Sequence, residues 1–320
     1  MKKNLIILTL ALILCAAAVH AGGGKDAAAY RERAAAATEQ GNWDRAIADY
    51  TQAIRREPNN ADAYYQRGIV YVYKKDYDHA INDFTQVIRL EPDNADAYRF
   101  RSLSYYTKGD WDRAIDSLTE LIPFDPDDIE VYAYRGRAYL AKGDYDHAIA
   151  DFTEVIRLDP NYAGAYHERG NLYAWRGSVY YNRNDFDLAI ADLTQALQLE
   201  PGNKDSYHDR GLAYVCINDY DHAIADFDRA IALDTNFANA YSNRGQTYLY
   251  QGDWDRAIAD YTESIRLEPD NGYSFMGRSR AYLEKGNFSQ ARADVNWILQ
   301  FDPESEQALE LSAELQQRGF

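Results

Sequence analysis

Apolar and polar positions along the chain follow a helical rhythm that restarts every 34 residues. The pattern is cleanest at residues 61–94, ADAYYQRGIVYVYKKDYDHAINDFTQVIRLEPDN. In the first half Tyr64, Gly68 and Tyr71 stand four and three apart and share one helical face. In the second half Ala80, Phe84, Val87 and Ile88 do the same. Between them lies Lys75-Asp76-Tyr77-Asp78. The other copies put Gly or Asn where Lys75 stands (Gly41, Gly109, Gly143, Asn184, Asn218, Gly252, Gly286), which suits a left-handed residue closing a helix. The next column is Asp or Asn, as in Asn42, Asp76, Asp110, Asp144 and Asp185, and suits the N-cap of a second helix. Pro58, Pro92, Pro126, Pro160, Pro201, Pro269 and Pro303 end their copies, since proline cannot continue a helix interior.

Each copy therefore predicts a helical hairpin. Small residues, Gly68 and Ala80 and their counterparts, stand where two helices approach, while Tyr64, Tyr71 and Phe84 fill the space between hairpins. One hairpin cannot bury its own apolar face, so the copies must stack. The expected fold is all-α, an α-solenoid of antiparallel helix pairs. Its copies span 27–60, 61–94, 95–128, 129–162, 163–203, 204–237, 238–271 and 272–305. The segment 306–320 follows as a capping helix with Leu309, Ala313 and Leu315 on its apolar face.

Counting Ala61 as position one, the copies share an aromatic at four, Gly at eight, Tyr at eleven, Ala at twenty, Phe or Tyr at twenty-four and Pro at thirty-two. These columns resemble the tetratricopeptide repeat family. The resemblance implies a right-handed superhelix whose first helices line a concave groove, and a protein or peptide partner held at positions two, five, nine, twelve and thirteen. Carried over, the early copies supply Tyr65, Ile69, Tyr73, Arg99, Leu103, Tyr106, Arg137 and Leu140. The later ones supply His167, Asn171, His208, Leu212, Gln246, Tyr250 and Arg280. Tyrosine with apolar neighbours and some arginine is a mixture enriched in interfaces; the competing reading makes these tyrosines further hairpin packing. Members that bind chaperone tails carry a basic clamp at positions two, five, six and nine. Here those places hold Asp62, Tyr65, Gln66 and Ile69, so the chain does not resemble that subclass.

One departure from the family is systematic. Position seven, usually Leu, is Arg in every copy (Arg33, Arg67, Arg101, Arg135, Arg169, Arg210, Arg244, Arg278), and position twenty-three is Asp in all but the third, which has Ser117. This predicts a ladder of Arg–Asp pairs between helices, with the arginine stems against aromatic rings; independent solvated charges are the alternative. On the ladder reading Arg135→Leu is tolerated and Asp151→Ala is not. Ser117 and Pro123 mark the third hairpin as the least regular.

The fifth copy is seven residues too long, because Arg169–Trp175 is nearly duplicated by Arg176–Asn182. Seven residues are almost two helical turns, so a first helix lengthened by about 10 Å is expected. Trp175, Tyr180 and Tyr181 then form a second candidate partner contact, or pack against adjoining copies.

Residues 1–21 read as a secretory leader: Lys2-Lys3, an apolar run from Leu5 to Leu14, and Val19-His20-Ala21 before the cut. The alternative is a lipid on Cys15, with Gly22-Gly23-Gly24 in the linker 22–26 as a tether. Either way the chain is expected to be exported to the periplasm or cell envelope, with membrane contact only through that lipid. A net charge of −17 argues against nucleic acid, which needs clustered Lys and Arg. Cys216 alone remains after ordinary cleavage, so no internal disulfide is expected. No metal-ligand spacing, nucleophile elbow or phosphate loop is present, and His79, His147 and His222 alternate with Arg as surface groups. The chain reads as a non-enzymatic interaction scaffold without cofactor or metal. The alternative is an extracytoplasmic small-ligand-binding component, either free or serving a membrane transporter, which a closed pocket around His167 and His208 would favour.

Overall fold

The computed structural model describes residues 25–319; the expected leader, Cys15 and most of the linker lie outside the described residues. Among the described residues there are seventeen helices and no strand. The first six are α1 (Lys25–Glu39), α2 (Trp43–Arg56), α3 (Ala61–Tyr73), α4 (Tyr77–Leu90), α5 (Ala95–Lys108) and α6 (Trp111–Leu121). Then come α7 (Ile129–Lys142), α8 (Tyr145–Leu158), α9 (Ala163–Tyr180), α10 (Arg183–Leu199), α11 (Lys204–Cys216) and α12 (Tyr220–Leu233). The last are α13 (Ala238–Gln251), α14 (Trp254–Leu267), α15 (Gly272–Glu284), α16 (Phe288–Phe301) and α17 (Glu306–Gln317). No described helix is long and apolar enough to cross a membrane. The chain divides between Val131 and Tyr132, in the first turn of α7, into two compact units. In the first, α2 packs on α3 and α4 on α5, so each hairpin leans on the next; in the second, α10 packs on α11, α12 on α13 and α14 on α15 in the same way.

Local chemistry sets the hairpin corners. Asp76, Asp144 and Asp219 each cap a second helix by accepting the backbone N–H three residues on, at 3.4 Å. The three histidines of position nineteen are exposed, as expected, and each is also tied to its cap residue. His147 Nδ1 lies 2.8 Å from the Asp144 carboxylate and its ring stacks on Tyr139 at 4.9 Å, an arrangement repeated by His79 and His222. The His147 bond holds the Asp144 carboxyl below the ordinary carboxylate range. First helices have a cap too, unforeseen from the sequence: Asn60, Asn94, Asn203 and Asn271 accept the third backbone amide at 3.0–3.1 Å.

Position seven forms the expected ladder and reaches further than one hairpin. Arg67 on α3 donates from Nε and Nη2 to Asp83 on α4 at 2.8 and 2.7 Å, and from Nη1 to Thr51 on α2 at 2.8 Å. Its guanidinium lies 5.7 Å from the Tyr64 ring and 5.9 Å from Tyr71. Thr51 passes its own proton to the Ile47 carbonyl at 2.7 Å. The three-helix clamp recurs at Arg169 (Asp192, Thr153), Arg210 (Asp226, Thr194) and Arg278 (Asp294, Thr262), and Asp228 takes the threonine's place beside Arg244. In the third hairpin Arg101 Nε bonds Ser117 Oγ at 2.9 Å and turns its other end to Glu120. There α6, at 11 residues the shortest described helix, stops before Pro123.

The fifth hairpin corrects the expectation of one longer helix. The extra residues are shared, giving α9 18 residues and α10 17 where most other helices have 13 or 14. Asn184 and Asp185 are neither the left-handed corner nor the cap. Tyr181 takes the corner at φ 51° and Asn182 caps α10. The reason is register. In an antiparallel pair, seven residues forward on one helix face seven residues back on the other. Arg176 therefore meets Asp185 at 2.9 and 2.7 Å, as Arg169 meets Asp192 at 2.7 and 2.8 Å. Glycine follows in phase: a Cβ on Gly170 would strike Leu193 at 2.9 Å, and one on Gly177 would crowd Phe186 at 3.2 Å. The duplicated heptad thus adds a whole second rung.

At the far end α17 buries Ala308, Leu311 and Leu315 against Phe275, Leu283, Val295 and Ile298. Leu309 and Ala313, expected on that face, point outward, because the true stripe runs i, i+3, i+7 from Ala308.

Two outcomes follow. Lys75 holds φ 61° where most copies have glycine, so Lys75→Gly should stabilise by about 1 kcal/mol, read as a higher urea midpoint at unchanged slope. The expectation for Arg135→Leu reverses, since the Asp151 side chain is 5% exposed against 16% for Arg135. Leucine would strand the more buried partner and cost about 3 kcal/mol at neutral pH. Burial already raises the Asp151 carboxyl, with Arg135 pulling part of that back. Without the arginine the carboxyl rises further, so the loss should shrink as pH falls and Asp151 takes a proton. A loss independent of pH would contradict this, and Arg135→Leu/Asp151→Leu should recover most of the stability.

Candidate partner-binding groove

The first helices carry the columns expected to meet a partner, and many of those side chains are engaged by the protein itself. In the first compact unit Tyr65 is half-buried and sits edge-on to Phe84 and Phe100, each at 5.8 Å. Burial pushes its phenol well above the usual range. Tyr65 is therefore packing. Tyr73 stacks on Trp43 at 5.2 Å and Tyr106 meets Trp111 edge-on at 4.9 Å. Arg99 is held by Asp96 at 2.9 Å and by Asp128. Ile69 and Leu103 are half-buried.

In the second unit Arg137 lies 3.4 Å from Glu168, and Leu140 and Leu212 are half-buried. His167 and His208 do come together, through Asp209. His208 Nδ1 is 3.0 Å from one Asp209 oxygen, and Asn171 donates to the other at 2.9 Å, with His167 Nε2 at 3.7 Å from it. The remaining ring nitrogens meet Ser206 Oγ (His167 Nδ1, 2.8 Å) and the Asn243 amide (His208 Nε2, 2.9 Å), and Asn171 Nδ2 stands 3.2 Å from His167 Nε2. These partners assign both rings as Nδ1–H tautomers. Every ring nitrogen has a partner, so the network ties α9, α11 and α13 together and leaves no converging donors for a small ligand. Among the described residues no group of three or more His, Cys, Asp or Glu could hold a metal ion. In the fifth hairpin Trp175 lies on Tyr145 with ring centroids 3.6 Å apart, whereas Tyr180 and Tyr181 at the corner are 70% and 94% exposed.

A concave exposed surface lies at the C-terminal end. A cavity of about 1280 Å³ opens between α13, α15, α16 and α17. Gln246 and Tyr250 line it from α13, Tyr273, Met276 and Arg280 from α15, Trp297 and Phe301 from α16, and Glu310 and Glu314 from α17. Tyr250, Tyr273 and Phe301 are 55%, 52% and 69% exposed. Below them Tyr261, fully buried, donates its hydroxyl to Gln246 Oε1 at 2.9 Å, and Tyr273 donates to the same oxygen at 3.3 Å. Two phenols on the carbonyl oxygen orient the amide and direct its N–H groups elsewhere. Gly277 makes room for this arrangement: a Cβ there would lie 2.1 Å from the Tyr261 ring.

Of the residues expected on the groove, Gln246, Tyr250 and Arg280 line this cavity. Tyr273 and Met276 occupy positions two and five of the last copy and were findable by the same count. The walls from α16 and α17 were not, since the closing helix reads from sequence only as a cap.

Family models of the tetratricopeptide repeat match residues 34–74, 65–129, 136–174, 177–216, 217–250 and 238–271. Among curated proteins none matches the chain. Solved structures share its fold. The C-terminal part of a TPR repeat-containing protein from Cytophaga hutchinsonii aligns at TM-score 0.62 and 19% identity, over 77% of this chain and 98% of that one. A tetratricopeptide repeat protein from Parabacteroides merdae aligns at 0.54 and 18%, over 80% and 99%. YrrB, described as a TPR protein with an unusual peptide-binding site, aligns at 0.51 and 20%, over 60% and 95%. At these identities the likeness is one of fold.

The two classes of tyrosine separate by experiment. Tyr65→Ala removes a packed ring and should cost about 2 kcal/mol or more in urea unfolding, whereas Tyr250→Ala should stay within about 0.5 kcal/mol. Equal effects would erase the distinction.

Proposed function

The chain belongs to the tetratricopeptide repeat family, and on that premise we propose that it is a non-enzymatic scaffold that holds an extended segment of a partner protein in the cavity between α13, α15 and α17. The observation that carries this reading is the exposure of Tyr250, Tyr273 and Phe301 around one concavity, with an oriented amide at its floor. Aromatic rings grouped in a concave site are the usual anchors of protein recognition. An extended segment also offers backbone carbonyls to the Gln246 amide. Because the network around His167 and His208 is internally satisfied, this reading is favoured over a small-ligand carrier.

We place the scaffold outside the cytoplasm, on the leader-like pattern at 1–21, with cleavage after Ala21 or a lipid on Cys15 deciding whether it is free or anchored. Mass analysis of the mature N-terminus distinguishes the two, and an unprocessed Met1 would refute export.

The groove is tested with peptides selected from a random library on the wild-type protein. Tyr250→Ala/Tyr273→Ala should weaken the selected peptides about tenfold or more, in line with the loss of interface anchors, with helicity and melting unchanged. Selected peptides that bind this variant as tightly as wild type would place recognition elsewhere.

A further inference from the structure

We propose that the segment this groove accepts is cationic, with Lys or Arg interleaved among apolar side chains; the inference rests on reading the groove as the partner site. Its walls combine exposed rings with three carboxylates that no basic side chain among the described residues neutralises. Arg280, the one basic residue lining the cavity, is paired with Glu314 at 3.2 Å, and Glu314 also receives Arg318 at 2.7 Å. Asp270, Asp302 and Glu310 also line the cavity and engage no basic side chain among the described residues.

The chemistry of such a wall is selective by sign. An acidic segment would meet three unpaired carboxylates and an arginine already occupied, whereas like charges brought together are costly. A basic segment finds the carboxylates and, between them, the faces of Tyr250, Tyr273 and Phe301, which attract ammonium and guanidinium groups through the ring quadrupole. Apolar side chains of the same segment can lie on Met276 and Trp297. Trp297 is held in place for this, stacked on Phe275 at 3.9 Å and tilted against Phe301 at 4.7 Å. The Gln246 amide, oriented by Tyr261 and Tyr273, supplies the donor for a backbone carbonyl.

The test uses short peptides that share their apolar and aromatic positions and carry Lys, Gln or Glu at the rest. Binding to the full chain is read by fluorescence anisotropy at low and high salt. The Lys peptide should bind about tenfold tighter than the Gln peptide, with the Glu peptide weakest and the gap narrowing as salt rises. Asp302→Asn/Glu310→Gln, both exposed positions, should bring the ratio of Lys-peptide to Gln-peptide affinity close to one. Asp62→Asn/Asp93→Asn, in the other compact unit, should leave the preference intact. Equal affinity for Lys and Gln peptides, both lost in Tyr250→Ala/Tyr273→Ala, would overturn the charge preference and keep the groove. A Lys preference erased equally by Asp62→Asn/Asp93→Asn would make it a property of net charge and overturn it too. Lys-peptide binding indifferent to Tyr250→Ala/Tyr273→Ala would overturn the groove itself.

Discussion

One guanidinium shared among three helices is the constraint on which the repeats depend. Arg67 joins α3 to α4 through Asp83 and to α2 through Thr51. A leucine at the same position would contribute area, which is tolerant of sliding; a bidentate pair is not. The clamp therefore fixes the helical register within a hairpin and the seating of one hairpin on the preceding one. Its electrostatics are costly on their own. Burial raises the Asp83, Asp151 and Asp260 carboxyls even with the arginine attached, so the pair is held by full hydrogen bonding and by the aromatic rings over it. Specificity of register, more than net stability, is what such a pair provides.

The fifth hairpin shows how strictly that register is kept. Seven added residues could have bulged, extended one helix, or slipped the pairing. They instead lengthened both helices and produced a second Arg–Asp pair facing a second glycine, because the duplicated Arg-Gly found an Asp-Phe seven residues back on the opposing helix. The strain fell on the corner, where Tyr181 occupies a left-handed conformation that most copies give to glycine.

Period, hairpin pairing, second-helix caps and the Arg–Asp ladder were all legible in the sequence, since each is a column with one chemical meaning. Three things were not. Thr51 and its equivalents carry no signal in the sequence, because a contact between copies has no signature within one copy. Asp185 matched the cap column by count, yet its place was decided by the facing helix. Tyr65 and Tyr250 both lie on first helices and both read as groove residues, but Tyr65 is half-buried edge-on to Phe84 and Phe100 while Tyr250, stacked on Tyr220, stays 55% exposed. Periodicity tells which face a side chain is on. It does not tell whether a neighbour already covers it.

The same distinction separates the columns that build the hairpins from those left free. Columns seven, eight, twenty-three and twenty-four hold the hairpins together and leave little freedom; columns two, five, nine and thirteen carry no part of the clamp and can vary from copy to copy. In the middle of the second unit they are occupied by a closed histidine–aspartate–amide network. At its C-terminal end Gly277 takes the place of a side chain at position six, the Tyr261 hydroxyl reaches through to Gln246, and α17 supplies carboxylates to the cavity wall. That surface carries exposed aromatic rings beside the carboxylates of Asp270, Asp302 and Glu310, a combination of apolar faces and negative charge that the closed network in the middle of the unit lacks.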